Sequence, residues 1–244
     1  MFKVLLVGLY FVLQSFSVLL AQNYDDNFAK PIVTENGKFH YYELPAIKTS
    51  EGELIFLDRN LGALSDYVGT TDSWGDLYQW GRATDGHEKR SSDTIMTLAD
   101  TYEVGHTRFI VDERKANDWL RSSDDDLWKE EKGLTNPCPC GYRIPTEKEW
   151  RALLSLGYEI KTTSEGFYYL SIAGGQLLLP AAGLRSAYTG NFLHLGTRGY
   201  YWGVNALSRG TSSCIDFNKD DITTNISIFG FRAFGRSVRC VKEH

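Results

Sequence analysis

The chain has 244 residues, 42% of them hydrophobic, 14% aromatic and 23% charged. That length allows one large domain or two small ones with a real core, and the composition excludes collagen, coiled coil and wholesale disorder. A net charge of −5, with no basic block anywhere, argues against an electrostatic nucleic-acid binder.

Residues 1–21 read as a cleaved secretory signal. Lys3 is the positive residue, 4–20 are mostly apolar with Gln14, Ser15 and Ser17 as interruptions, and Ala21 suits the cleavage position. An uncleaved anchor is the rival reading, which the polar interruptions disfavour. No cysteine near the cleavage point suggests a lipid anchor. No later apolar run reaches transmembrane length. The expected location is therefore secreted or at the cell surface.

Export gives meaning to Cys138, Cys140, Cys214 and Cys240. An even count in an exported chain favours two disulfides, with three pairings open. The spacing of Cys138 and Cys140 is poor for pairing with each other, and it lacks the two-residue gap of zinc ribbons and thioredoxin-like sites.

Residues 22–44 form a polar leader with Phe28, Phe39, Tyr41 and Tyr42, and the domain spans 45–244. Ile55, Phe56 and Leu57 suggest a short strand. Gly62, Gly69, Gly75, Gly81 and Gly86 mark loop-rich structure. The polar stretch 84–135 reads as a long excursion pinned by Trp119 and Trp128. Thr146 and Glu149 form a capping box before Trp150, Leu153 and Leu154, with Gly157 as the stop. Strands are expected over 167–172, 176–179, 200–204, 214–217, 226–231 and 237–241. Alternation places Tyr200 and Trp202 on one strand face and Tyr201 on the other, with Trp202 assigned to the core. The fold class is α+β, with short mixed strands and few helices.

Six segments carry a resemblance. They are Asp58-Arg59-Asn60-Leu61-Gly62-Ala63, Gly75-Asp76-Leu77-Tyr78-Gln79-Trp80-Gly81-Arg82, the run from Asn136 to Glu147 followed by Glu149-Trp150, Leu179-Pro180-Ala181-Ala182-Gly183, Gly199-Tyr200-Tyr201-Trp202 and Arg236-Ser237-Val238-Arg239-Cys240-Val241. In this order they resemble the Fibrobacter succinogenes major paralogous domain, common in exported proteins of Bacteroidetes, over roughly residues 45–243. The resemblance implies a single C-type-lectin-like domain of the formylglycine-generating-enzyme type. It implies a Cys138–Cys240 disulfide, which leaves Cys140 to pair with Cys214. The chain departs from the family at Trp202-Gly203-Val204, where Trp-Ser-Ser is usual, and at Gly235-Arg236, where Gly-Phe is usual.

Some relatives of this architecture are targets of diversity-generating retroelements, and the stretch comparable to their variable face is 186–232. Its mix of aromatic anchors and adaptable polar groups suits recognition. The candidate ligand-binding residues are Tyr188, Asn191, His194, Arg198, Tyr200, Asn205, Arg209 and Asn218.

No nucleophile elbow, HExxH, P-loop or dinucleotide fingerprint is present. The histidines are dispersed, and His87, after Asp85-Gly86, reads as a turn residue. Asp124-Asp125-Asp126 and Asp220-Asp221 could offer oxygens to calcium but lack the spacing of an EF-hand loop. No metal or other cofactor is expected. The Glu-Pro-Asn and Gln-Pro-Asp tripeptides of calcium-dependent lectins are absent, so the fold alone does not license sugar binding. The expected function is an exported, non-catalytic recognition module for a surface protein or glycan. Its rivals are a formylglycine-generating-type oxidase using a cysteine pair and a structural component of a surface or phage assembly.

Overall fold

A computed structural model describes residues 32–33, 40–114, 117–129, 135–208, 210–223 and 230–243. These belong to one unit that begins at Ile32. The signal segment 1–21, most of the leader, Arg209 and most of the strand expected over 226–231 lie outside the described residues.

Strand β1 (Ile32–Val33) pairs with β2 (His40–Tyr41), and β3 (Ile47–Thr49) forms a hairpin with β4 (Gly52–Leu54). β5 is Tyr78–Gln79. β6 (Thr94–Ile95) and β7 (Phe109–Ile110) pair in parallel. β8 (Tyr142–Arg143) leads into helix α1 (Glu147–Ser155). β9 (Tyr158–Thr162), β10 (Tyr168–Ile172) and β11 (Leu177–Pro180) make an antiparallel meander. β12 is Leu184–Arg185 and β13 Phe192–Leu193. The long hairpin β14 (Arg198–Leu207) and β15 (Thr211–Asn218) is extended by β16 (Ile222–Thr223). β17 (Gly235–Arg236) joins β12 to β5, and β18 (Val241–Lys242) pairs with β8. The result is β-rich and loop-rich, with one α-helix among the described residues.

The helix forms where a local signal demands it. Glu149 N–H donates to Thr146 Oγ1 at 3.2 Å, and Thr146 N–H donates to Glu149 Oε2 at 2.7 Å. Gly157 follows the helix with φ at +94°, a conformation that favours glycine. Glu149 also takes Arg143 in a bidentate pair at 2.8 and 2.6 Å. Burial alone would raise the Glu149 carboxyl, but Arg143 and the Thr146 amide outweigh it and hold it below its usual range.

Two expected strands are shifted. In place of a strand over 55–57, the hairpin ends at Leu54, and Phe56 and Leu57 make single bridges to Val241 and Glu43. Of the strand expected over 237–241 only Val241 lies in a strand, β18, while β17 ends at Arg236. Between them the chain crosses from one sheet to the next, and Val238 and Cys240 carbonyls accept from Leu61 and Leu57 instead of a continuous neighbour.

β14 and β15 separate two cores. Tyr201, Ile215 and Phe217 face α1, β10 and β11, meeting Trp150, Leu153, Leu170 and Leu179. Trp202 and Cys214 face Trp80, Trp119 and Trp128 on the other side. With so little regular ladder, indoles tie distant segments together. Trp119 Nε1 donates to Trp80 O at 2.7 Å, Trp202 Nε1 to Tyr78 O at 2.7 Å and Trp128 Nε1 to Thr135 O at 3.0 Å. The excursion over 84–135 is thus anchored by Trp119 and Trp128, both buried.

Motif residues from four segments meet in one buried polar network. Arg239 donates to Asn60 Oδ1 and to the carbonyls of Leu57, Asp58 and Leu178. Asn60 donates to Tyr201 Oη at 3.0 Å, and Tyr201 donates to Pro180 O at 2.7 Å. Buried polar groups this well paired hold loops in one arrangement.

Candidate functional site

The turn after β13 places His194 at φ +58°. Its carbonyl accepts from the amides of both Thr197 and Arg198 at 3.1 Å, which fixes that turn. Its Nδ1 lies 2.6 Å from the phenol of Tyr200, and the two rings stack with centroids 5.9 Å apart. The strand then begins with Arg198, whose register partner is Asn218, while Tyr200 is opposite Asp216.

Arg198 and Asp216 form a bidentate pair, with Nε to Oδ1 and Nη2 to Oδ2 both at 2.5 Å. Such a pair sets the guanidinium plane as well as its charge. Tyr200 is sandwiched between the guanidinium groups of Arg198, at 5.2 Å, and Arg236, at 5.4 Å. Arg236 in turn lies 4.7 Å from the Trp202 ring. Cations and ring faces therefore alternate from the surface inward. Burial, and then the Asp216 charge, push the Tyr200 phenol up to about 12.

The outer end of this column is polar and fixed. Arg198 Nη1, His194 Nε2 and Asn218 Nδ2 take part in no hydrogen bond with a described residue. Leu193 and Leu195 flank His194 and are 40% and 41% exposed. With the Tyr200 phenol donating to His194 Nδ1, which leaves the proton on Nε2, this arrangement offers directed N–H donors beside exposed apolar surface, which suits a hydroxyl-rich or anionic ligand group set against an apolar one.

Four of the expected ligand-binding residues, His194, Arg198, Tyr200 and Asn218, thus come together. Tyr200 is a correction in kind: at 4% exposure it supports the face from beneath. Tyr188 and Asn191 sit in the loop at the other end of β13. Tyr188 packs edge-to-face on Phe234 at 5.2 Å, and the Asn191 carbonyl closes the loop by accepting from Ser186 N–H at 2.8 Å. Asn205 is elsewhere: its Oδ1 accepts from Glu147 N–H at 2.7 Å and occupies the start of α1. Arg209 lies outside the described residues. Sequence reading missed Asp216, Arg236, Leu193 and Leu195. Strand alternation could have found Asp216, two residues after Cys214 on the same face.

The disulfide Cys138–Cys240 is present, with Cα atoms 5.9 Å apart. The second expected pair is not: Cys140 and Cys214 are both free thiols. Cys214 is buried on β15 opposite Trp202, whereas Cys140 is exposed in the turn before β8. Burial raises the Cys214 thiol above its ordinary value.

The first acidic run is paired within the fold. Asp125 pairs with the buried Arg232 at 2.5 Å, the Asp124 carbonyl accepts from the same guanidinium, and Asp126 pairs with Lys129. The amides of Asp220 and Asp221 donate to Asn218 Oδ1 and form the turn after β15.

Asp85, His87 and Glu88 bring three potential ligand atoms within 4.8 Å of one another. Gln79 N–H donates to His87 Nε2 at 3.0 Å, so Nδ1 carries the proton and gives it to Asp85 Oδ1 at 2.7 Å. Binding a cation at Nδ1 would require an imidazolate or loss of the Gln79 bond, so the trio fits a structural clamp better than a metal centre. Asp85 also accepts from Arg82 at 3.1 and 2.7 Å. Burial would lift this carboxyl, but His87 and Arg82 hold it down to about 2. A groove of about 430 Å³, lined by Tyr102, Glu103, His106 and Thr107, opens beside Asp85, whose oxygens are already engaged.

Comparisons with protein-family models, curated proteins and solved structures return no match for this chain.

Proposed function

We propose that the chain is an exported recognition module of C-type-lectin-like fold, akin to the major paralogous domain, that binds a surface protein or glycan through the face built on His194, Arg198 and Asn218. The observation that carries this reading is the rigid outer end of β14. Arg198 is clamped by Asp216 and His194 is held by Tyr200, so donors are fixed in place before any ligand arrives. Preorganised donors beside exposed Leu193 and Leu195 lower the ordering cost of binding. Diversification over 186–232 is part of the proposal, since this face falls within that stretch. The oxidase alternative needs a reactive cysteine pair, and the separate settings of Cys140 and Cys214 favour recognition instead.

The test is a binding panel of neutral, carboxylated and sulfated oligosaccharides together with purified surface proteins. A ligand whose affinity falls about tenfold or more in Arg198→Ala, and is unchanged in the remote Lys48→Ala, supports the proposal. Ligands indifferent to Arg198→Ala and His194→Ala would overturn it. Uniform sequence over 186–232 in many sibling cells would remove the diversification component alone.

A further inference from the structure

β9 is the outer strand of the β11-β10-β9 sheet. Thr163 N–H donates to Phe167 O at 2.8 Å, and Ala173 N–H donates to Gly157 O at 3.0 Å. Hydrogen-bonded pairs alternate in an antiparallel ladder. Gly157, Glu159, Lys161 and Thr163 therefore turn their backbone groups toward β10, and Tyr158, Ile160 and Thr162 turn theirs outward. No described residue bonds those outward groups.

An open edge is a template for another strand unless something blunts it. Here the charges have a particular order. Glu159 and Lys161 lie on one face, both exposed, with Lys161 Nζ 2.8 Å from Glu159 Oε2. Their sequence, Tyr158-Glu159-Ile160-Lys161-Thr162, is complementary to itself when reversed.

We propose that β9 pairs antiparallel with β9 of a second copy, about a two-fold axis at Ile160. In that register Ile160 meets Ile160 and Tyr158 meets Thr162, so every outward-facing residue meets an outward-facing residue. About six new backbone hydrogen bonds can form. Glu159 then stands opposite Lys161 of the second copy at both non-hydrogen-bonded positions, where side chains are closest. Slipping the register by two residues sets Glu159 against Glu159 or Lys161 against Lys161, so the charges select one register. Tyr158, 45% exposed, and Leu156, 43% exposed, supply apolar surface at the end of the strand. The contact is isologous and closed, so it makes dimers and not fibres. It joins the two meanders into one continuous sheet.

Sedimentation velocity over a concentration series tests this, using full-length protein carrying Cys140→Ser so that the exposed thiol forms no covalent dimer. The expected result is a concentration-dependent dimer. Glu159→Lys and Lys161→Glu should each weaken it about tenfold or more, and the double reversal, which restores opposite charges, should return it to within about threefold. Amide exchange at Ile160 should slow as concentration rises. A monomer at all concentrations, a dimer indifferent to the single reversals, or a double variant as weak as the singles would each overturn the proposal.

Discussion

The phenol of Tyr200 and Nδ1 of His194 stand 2.6 Å apart, joining a buried strand residue to an exposed turn residue. Removing that hydroxyl in Tyr200→Phe leaves the ring packed between Arg198 and Arg236 but frees the imidazole. The expected stability loss is small, about 1 kcal/mol, while affinity for a retained ligand drops because His194 is no longer held. Thermal unfolding and binding measured on the same sample separate the two effects.

Thr146 and Glu149 share one capping box but differ in what else they hold. Thr146→Ala loses one cap and should cost about 1 kcal/mol. Glu149→Ala also removes the bidentate carboxylate partner of the buried Arg143 and should cost more, about 3 kcal/mol. Urea denaturation at neutral pH checks the order of the two variants.

Thiol labelling should find one reactive cysteine, Cys140, in the native protein and a second, Cys214, only after denaturation without reductant. Cys138→Ala should cost about 2–5 kcal/mol, because the bridge closes a loop with a sequence separation of 102. Finding no free thiols in the denatured protein would contradict the cysteine assignment.

Two buried groups oppose each other in mild acid. Burial, and then Arg82, lower His87 to about 4 from an unfolded value of 6.5. The unfolded chain therefore takes up this proton first, and stability present above pH 6.5 is lost as pH falls toward 4. Burial raises Asp76 to about 6 from 3.8, against the pull of Lys89. The native state takes up that proton first, so stability is gained as pH falls from 6 to 3.8. Each effect is about 3 kcal/mol. Asp76→Asn should therefore show the acid loss from His87 uncovered, with the wild type gaining about 3 kcal/mol on the variant between pH 6 and 3.8. Denaturation curves across pH 4–7 measure this, and NMR titration of His87 gives its midpoint directly.

Local signals in the sequence were legible and distant pairings were not. The capping box at Thr146 and Glu149 needs only four residues, so the helix could be read directly. Alternation correctly assigned Tyr201 and Trp202 to opposite faces of β14. It did not reveal that Tyr200 is covered too, because the cover is Arg236 from a strand far along the chain. The second disulfide was expected by elimination within the resemblance, whereas pairing depends on whether two side chains meet. Cys214 faces Trp202 in a core that Cys140 does not enter. The short strand expected over 237–241 failed because its carbonyls serve Leu57 and Leu61, partners that no local pattern marks.

Recognition through the outer end of β14 is tested most directly by mapping amide chemical-shift changes when a retained ligand is titrated into isotope-labelled protein. The largest changes are expected at Leu193, His194, Leu195, Arg198 and Asn218, with the Arg198 side-chain resonance among them. Changes confined to the groove around Tyr102 and His106, with the β14 face silent, would contradict it.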